Sequence, residues 1–240
     1  MAGKGIGFSI VFIVLPLLIA AQKHKSQHAA SETIAAKKID LPKELNVFSD
    51  PPDSSTYFVS VCADVPDNKR PEKVVYKGET GHVFLIFQMI SPKRDTVSKV
   101  FGFYPKSGSL PTVFTRNVKS GIRDNSARVF DVKITNPVTQ SQFKTVLLHA
   151  ITLSKKRYRM NRFNCYDYAV QVFNSVAGSG TIVRQYSKFP FLFGSGGSPC
   201  SLFAGLRTLQ SSSSNWRDKI CFQTVSAPVS TPLSATPSKD

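Results

Sequence analysis

The sequence predicts an α+β fold in which an antiparallel sheet of about four to six strands packs on two main helices. Three observations predict it. Short runs rich in β-branched and aromatic residues, at 56–62, 82–90 and 99–104, occupy the first half of the chain. The turn Ser91-Pro92-Lys93-Arg94-Asp95 joins two of them too tightly for a crossover, so those two run antiparallel. After Val138 the apolar spacing changes from two to three and four, which is the helical period.

The elements follow in order. Lys4 precedes an apolar run from Ile6 to Ala21 that only Gly7, Ser9 and Pro16 interrupt. That run falls short of the roughly 20 residues that span a bilayer. It suits the apolar core of an export signal, with the small residues Ala20 and Ala21 near a cleavage point. Residues 1–21 therefore read as a signal peptide or an N-terminal anchor, and the protein as exported to the periplasm or beyond. Residues 22–50, rich in Lys, Ala and Ser, read as a linker or weak helix. The domain itself is expected over 51–210.

Within it, Pro51-Pro52-Asp53 is a turn and 56–62 a strand, with Cys62 a core residue. Gly78-Glu79-Thr80-Gly81 introduces a strand from His82 to about Ile90. Pro105 stops the strand over 99–104. Residues 106–126 read as a long loop with one extended piece at Thr112-Val113-Phe114. Residues 127–134 alternate apolar and polar, the mark of a half-buried strand. A helix follows from Val138 to about Leu153, with Phe143, Val146, Leu147, Ala150 and Ile151 as its apolar stripe and Pro137 suited to its first turn. Gly180-Thr181-Ile182-Val183 reads as a short extended piece and 200–206 as a short helix. From Ser211 onward Ser, Thr and Pro dominate, and a disordered tail over 211–240 is expected. After export, Cys200 and Cys221 are the cysteines best suited to a disulfide.

Two stretches carry chemistry. In Asn164-Cys165-Tyr166-Asp167-Tyr168-Ala169, Asn164 fits a helix N-cap. Ala169, Val172, Phe173 and Val176 form one buried face, and Gly178 ends the helix. Cys165 thus sits in a first turn, where free N–H groups favour an anion. Such thiols have pKa values of roughly 3.5–7.5 instead of about 8.5. The plain alternative is a small buried residue at a helix start. The second stretch, Gly81-His82-Val83-Phe84, puts a histidine at the start of a buried strand. Packed against Cys165, His82 would serve as the base that activates the thiol. Tyr104, brought opposite His82 by the short turn, is the nearest candidate to orient the imidazole. Asn164 and Asp167 read as helix-start groups. His24 and His28 lie in the linker, and His149 lies beside apolar neighbours.

The 240 residues are 41% hydrophobic and 19% charged, enough for one domain with a core, and the formal net charge is +16. The excess is spread along the chain and favours anionic partners: cell-wall polymer or peptide, or an anionic membrane surface. Part of it is the run Lys155-Lys156-Arg157-Tyr158-Arg159-Met160-Asn161-Arg162, which reads either as a solvated linker or as cation density near Cys165. The cysteines lack zinc-like spacing, so no metal is expected. The Gly194–Gly197 loop lacks the spacing and lysine of a phosphate-binding loop, and no other cofactor is indicated. No nucleic-acid-binding motif is present, so that partner class is disfavoured.

The order of the elements, with the histidine strand ahead of the cysteine helix, resembles the circularly permuted branch of the NlpC-like papain-fold hydrolases. That branch also holds the lecithin–retinol acyltransferase group. More narrowly, Thr80-Gly81-His82-Val83-Phe84, Phe101-Gly102-Phe103-Tyr104-Pro105 and Asn164-Cys165-Tyr166-Asp167-Tyr168-Ala169 are similar to exported bacterial proteins of that type. Gly197-Ser198-Pro199 and Leu206-Arg207 fit their ending. The resemblance covers roughly 56–208. It implies a thiol hydrolase acting on an amide or ester, with Cys165 as nucleophile and His82 as base. The backbone N–H of Cys165 is then a candidate oxyanion donor. A lipid acyltransferase, a deamidase, or a non-catalytic binding module on the same scaffold are the alternatives.

Overall fold

The computed structural model describes residues 37–106, 117–189 and 194–232. The expected export signal and the extended piece at 112–114 lie outside these residues. No helix among the described residues is long and apolar enough to cross a membrane.

Six antiparallel strands form the sheet: β1 (Thr56–Asp64), β2 (His82–Ile90), β3 (Thr96–Pro105), β4 (Ser120–Asp124), β5 (Val129–Val138) and β8 (Ile220–Ser226), in the order β4-β3-β2-β1-β5-β8. A two-residue hairpin, β6 (Ser187–Lys188) and β7 (Ser195–Gly196), stands apart. The helices are α1 (Leu41–Leu45), α2 (Gln140–Ser154), α3 (Cys165–Ala177), α4 (Pro199–Ser212) and α5 (Ser214–Arg217).

Side-chain alternation gives the sheet two buried faces. Val59, Val61, Val83, Leu85, Phe87, Phe101 and Phe103 point toward Phe143, Val146 and Ala150 of α2 and Ala169, Val172 and Phe173 of α3. Each such Val, Leu or Phe side chain contributes roughly 1.5–3 kcal/mol by leaving water. The opposite face buries a smaller cluster: Cys62, Phe84, Ile86, Val100, Phe130 and Ala227.

The sheet curls around that smaller cluster. The chain passes from Asp124, on edge strand β4, to Val129 of β5 in five steps, which span at most about 18 Å. A flat sheet would separate those strands by four spacings, about 19 Å. Part of the connection is also used in a turn, where Ser126 N–H donates to Asp124 Oδ1 at 2.9 Å and Arg128 N–H to Asn125 O at 3.0 Å. Only a curled sheet closes this distance.

Four sequence expectations need correction. The domain begins before residue 51, because Asp40 caps α1, and Leu41, Leu45 and Phe48 enter the main core. Lys99, buried on β3, ties α1 down through Glu44 at 2.6 Å. Residues 211–226 are not a disordered tail: α4 runs on to Ser212 and β8 pairs with β5. Pro137 lies within β5, one residue before its end, instead of opening α2, whose cap is Thr139 with Gln142 in a reciprocal capping box. Residues 180–183 form turns and irregular backbone, not an extended strand.

Candidate active site

Cys165 is the first residue of α3, and local hydrogen bonds fix its place. Asn164 Oδ1 accepts from the N–H groups of Tyr166 (2.9 Å) and Asp167 (3.3 Å), while Asp167 Oδ2 accepts from Asn164 N–H (3.1 Å). The Asn164 amide also donates to Met160 O (2.7 Å) and Gly197 O (2.8 Å), so one side chain pins the helix start to two loops. Arg184 pairs with Asp167 at 2.6 Å. The Cys165 sulfur rests at the backbone N–H of Val83, the residue that follows His82.

His82 opens β2. Gly81 precedes it at φ +66°, a conformation only glycine adopts freely, and a Cβ there would run into Asp64 O. Alternation then turns the imidazole to the face of the smaller cluster, together with Phe84. The sulfur approaches from the helix face. The two groups therefore border the end of β2 from opposite sides. The pairing of β2 with β3 begins only at Phe84↔Gly102, two residues into the strand.

Tyr104 does not orient the imidazole by a hydrogen bond, as the sequence suggested. Its ring stacks on the imidazole, with centroids 4.1 Å apart and planes inclined by 22°. The polar neighbour is Asn125, on the β4–β5 connection. Its Nδ2 donates to Tyr104 Oη at 2.6 Å. Its Oδ1 and His82 Nε2 are both buried without a hydrogen-bond partner. Both lie within 2.6 Å of the point where a Cβ on Gly102 would stand, so the missing side chain of Gly102 is the space they share. Asn125 was not legible in the sequence. Its only signal was the turn-forming trio Asp124-Asn125-Ser126 within an apparently featureless loop.

Burial decides the charge state of the pair. The Cys165 thiol is pushed up, not down as its helix position suggested. Desolvation outweighs the N–H groups of Val83 and Tyr166, Asp167 raises it further, and Arg128 lowers it. Burial holds the His82 imidazole well below its ordinary range, and the charges of Arg128 and Arg123 add to this. At rest both groups are thus neutral, a thiol on one side of the β2 end and an imidazole on the other. Tyr158, buried and stacked on Phe103, brings its hydroxyl to both the sulfur and the backbone N–H of Cys165. The cation that acts on the sulfur is Arg128, which pairs with Asp64 at 2.7 Å. In the basic run, Arg157 instead holds Asn117 O and Arg159 holds Asn161 Oδ1.

The other candidates stand elsewhere. Cys62 lies in the smaller cluster, its thiol raised by complete burial. Cys200 and Cys221 are free thiols, not a disulfide. Cys200 also sits at a helix start, yet its Sγ donates to Lys73 O at 3.0 Å and burial pushes its pKa up to about 12, so it reads as structural. A hollow of about 350 Å³ between residues 52–58 and 137–140 holds no cysteine or histidine and lies at the other end of β1. No group of His, Cys, Asp and Glu among the described residues is arranged to hold a metal ion. In comparisons with known proteins, no family model, curated protein or solved structure matches the chain.

Proposed function

We propose that this chain is an exported thiol hydrolase of the permuted papain-like type that cleaves an amide bond in cell-wall peptide or protein. One observation carries the reading. The Cys165 sulfur rests on the N–H that follows His82, while His82 Nε2 shares the Gly102 space with Asn125 Oδ1. An N–H at Nε2 directed at Asn125 leaves Nδ1 as the basic nitrogen. His82 then takes the thiol proton around the strand end as the sulfur attacks the carbonyl carbon. The developing oxyanion is met by the Cys165 N–H and the Tyr158 hydroxyl. His82 next protonates the departing amine, leaving an acyl-enzyme. Water, deprotonated by His82, releases the acid and restores the thiol.

The test is a Cys165→Ala chain assayed on peptidoglycan fragments. Loss of turnover is expected, and turnover equal to the parent removes the proposal. A non-catalytic binding module is the second reading, favoured by the burial of both groups and the raised thiol. It requires that Cys165 react with iodoacetamide near pH 7 no faster than the buried Cys62.

A further inference from the structure

Beyond the cysteine and histidine, the second face of the sheet carries a row of side chains across the strand ends. Asp64 of β1 is paired in register with His82 of β2. The Tyr104 ring of β3 stacks on that imidazole. The Arg123 guanidinium of β4 lies 5.2 Å from the Tyr104 ring centroid. Ion pairs among the described residues include those of Arg70, Lys99, Arg128 and Arg184. Arg123 is half-buried yet makes no ion pair and no side-chain hydrogen bond among the described residues. A guanidinium in that position offers five donors that suit a planar carboxylate. Space for one exists. Gly121 is paired with Tyr104 on the same face, and a Cβ there would meet nothing within 4 Å. Both Arg123 and Cys165 lie close enough to Tyr104 to act on its hydroxyl.

We infer that Arg123 is a substrate-binding residue that receives a carboxylate of the substrate, and that the substrate lies across Tyr104 from Arg123 to the Cys165 sulfur. This rests on the thiol-hydrolase reading and narrows it to amides that carry an anion near the scissile bond. The aromatic ring between the cation and the reaction centre sets that spacing. Arg128, paired with Asp64, is the arginine that acts on the sulfur.

Two alkylating agents of similar size test this on the full chain without knowledge of the substrate: iodoacetate, an anion, and iodoacetamide, its neutral counterpart. The readout is the ratio of their rates at Cys165 by mass spectrometry, with the exposed Cys221 as internal reference. Arg123→Gln should lower that ratio about threefold, the effect of one charge about 10 Å away at an effective dielectric between 20 and 80. Arg123→Lys should keep most of it, and Lys144→Gln, on the exposed side of α2, should leave it unchanged. In the parent chain the ratio at Cys165 should fall with salt more steeply than at Cys221. A ratio indifferent to Arg123→Gln, or lowered equally by Lys144→Gln, overturns the inference while normal iodoacetamide labelling leaves the thiol reading standing. If iodoacetamide fails to reach Cys165 at all, both are lost.

Discussion

His82 is buried and neutral, and this sets how the protein responds to acid. Its folded-state pKa lies below the unfolded value of about 6.5. Above pH 6.5 both states are neutral and the group adds nothing to the pH dependence. Below it the unfolded chain binds a proton that the folded chain refuses, so stability falls as pH drops, by up to about 1.4 kcal/mol per unit. Urea midpoints should decline from pH 7.5 to 5.5 in the parent and decline less in His82→Gln. Equal slopes would show that the imidazole is not held neutral. His149, lowered by partial burial and by Lys156, adds a smaller slope of the same sign to both chains. Gly102→Ala is the sharper probe of the pair. Its methyl group would enter the space shared by His82 Nε2 and Asn125 Oδ1, so hydrolysis should fall at least about tenfold and stability by about 1–3 kcal/mol. Tyr158→Phe should keep the fold and the substrate KM but lower kcat about tenfold or more, as expected for loss of one oxyanion donor. An unchanged kcat would reduce Tyr158 to a packing residue.

At the scale of elements, the start of α3 shows why part of the site was readable. The signals were local: an asparagine cap, an acid three residues on, an apolar stripe, and a glycine at the end. The capping box is built from Asn164 and Asp167 as that spacing implies. Asn164 does more than cap, because its amide also holds one buried and one partly buried carbonyl. Asn164→Ala should therefore cost more than the 0.5–2 kcal/mol of an ordinary cap, about 2–4 kcal/mol by urea denaturation. A loss below 1 kcal/mol would mean that water replaces those bonds. β4 was not readable for the opposite reason. It is five residues long with Ile122 as its one buried side chain, so no period could emerge. Asn125 acquires its place only because the chain there crosses the curled sheet. β8 alternates only over 220–223, with Ile220 and Phe222 on the main core, while Val225 packs on the smaller cluster, and the Ser- and Thr-rich surroundings masked the strand.

At the scale of the whole molecule, two crossings close the second face, and both bear on the histidine. One is the connection 125–128, which carries Asn125. The other is the segment 227–231, which continues from β8 and buttresses the first. Ala227 N–H donates to Arg128 O at 2.8 Å and Ser230 N–H to Ser126 Oγ at 2.8 Å. It then reaches β3, where Val100 N–H donates to Ser230 Oγ at 3.0 Å and Thr231 N–H to Ser98 O at 2.8 Å. This part of the chain resembles a tail by composition, yet it covers Cys62, Phe84 and Phe130 with Ala227. Ending the chain at Ser226 removes that cover and leaves two strand N–H groups without their partners. At about 0.5–1.5 kcal/mol for each of the four hydrogen bonds named, the loss is about 2–6 kcal/mol. For a domain of this size that lowers the melting temperature by about 5–15 °C. Cys62 provides a second readout, because it is fully buried beneath the crossing. In the shortened chain it should label with iodoacetamide under conditions that leave it intact in the parent. If melting temperature and Cys62 labelling both match the parent, the segment is an ornament and the curl is held by the sheet alone.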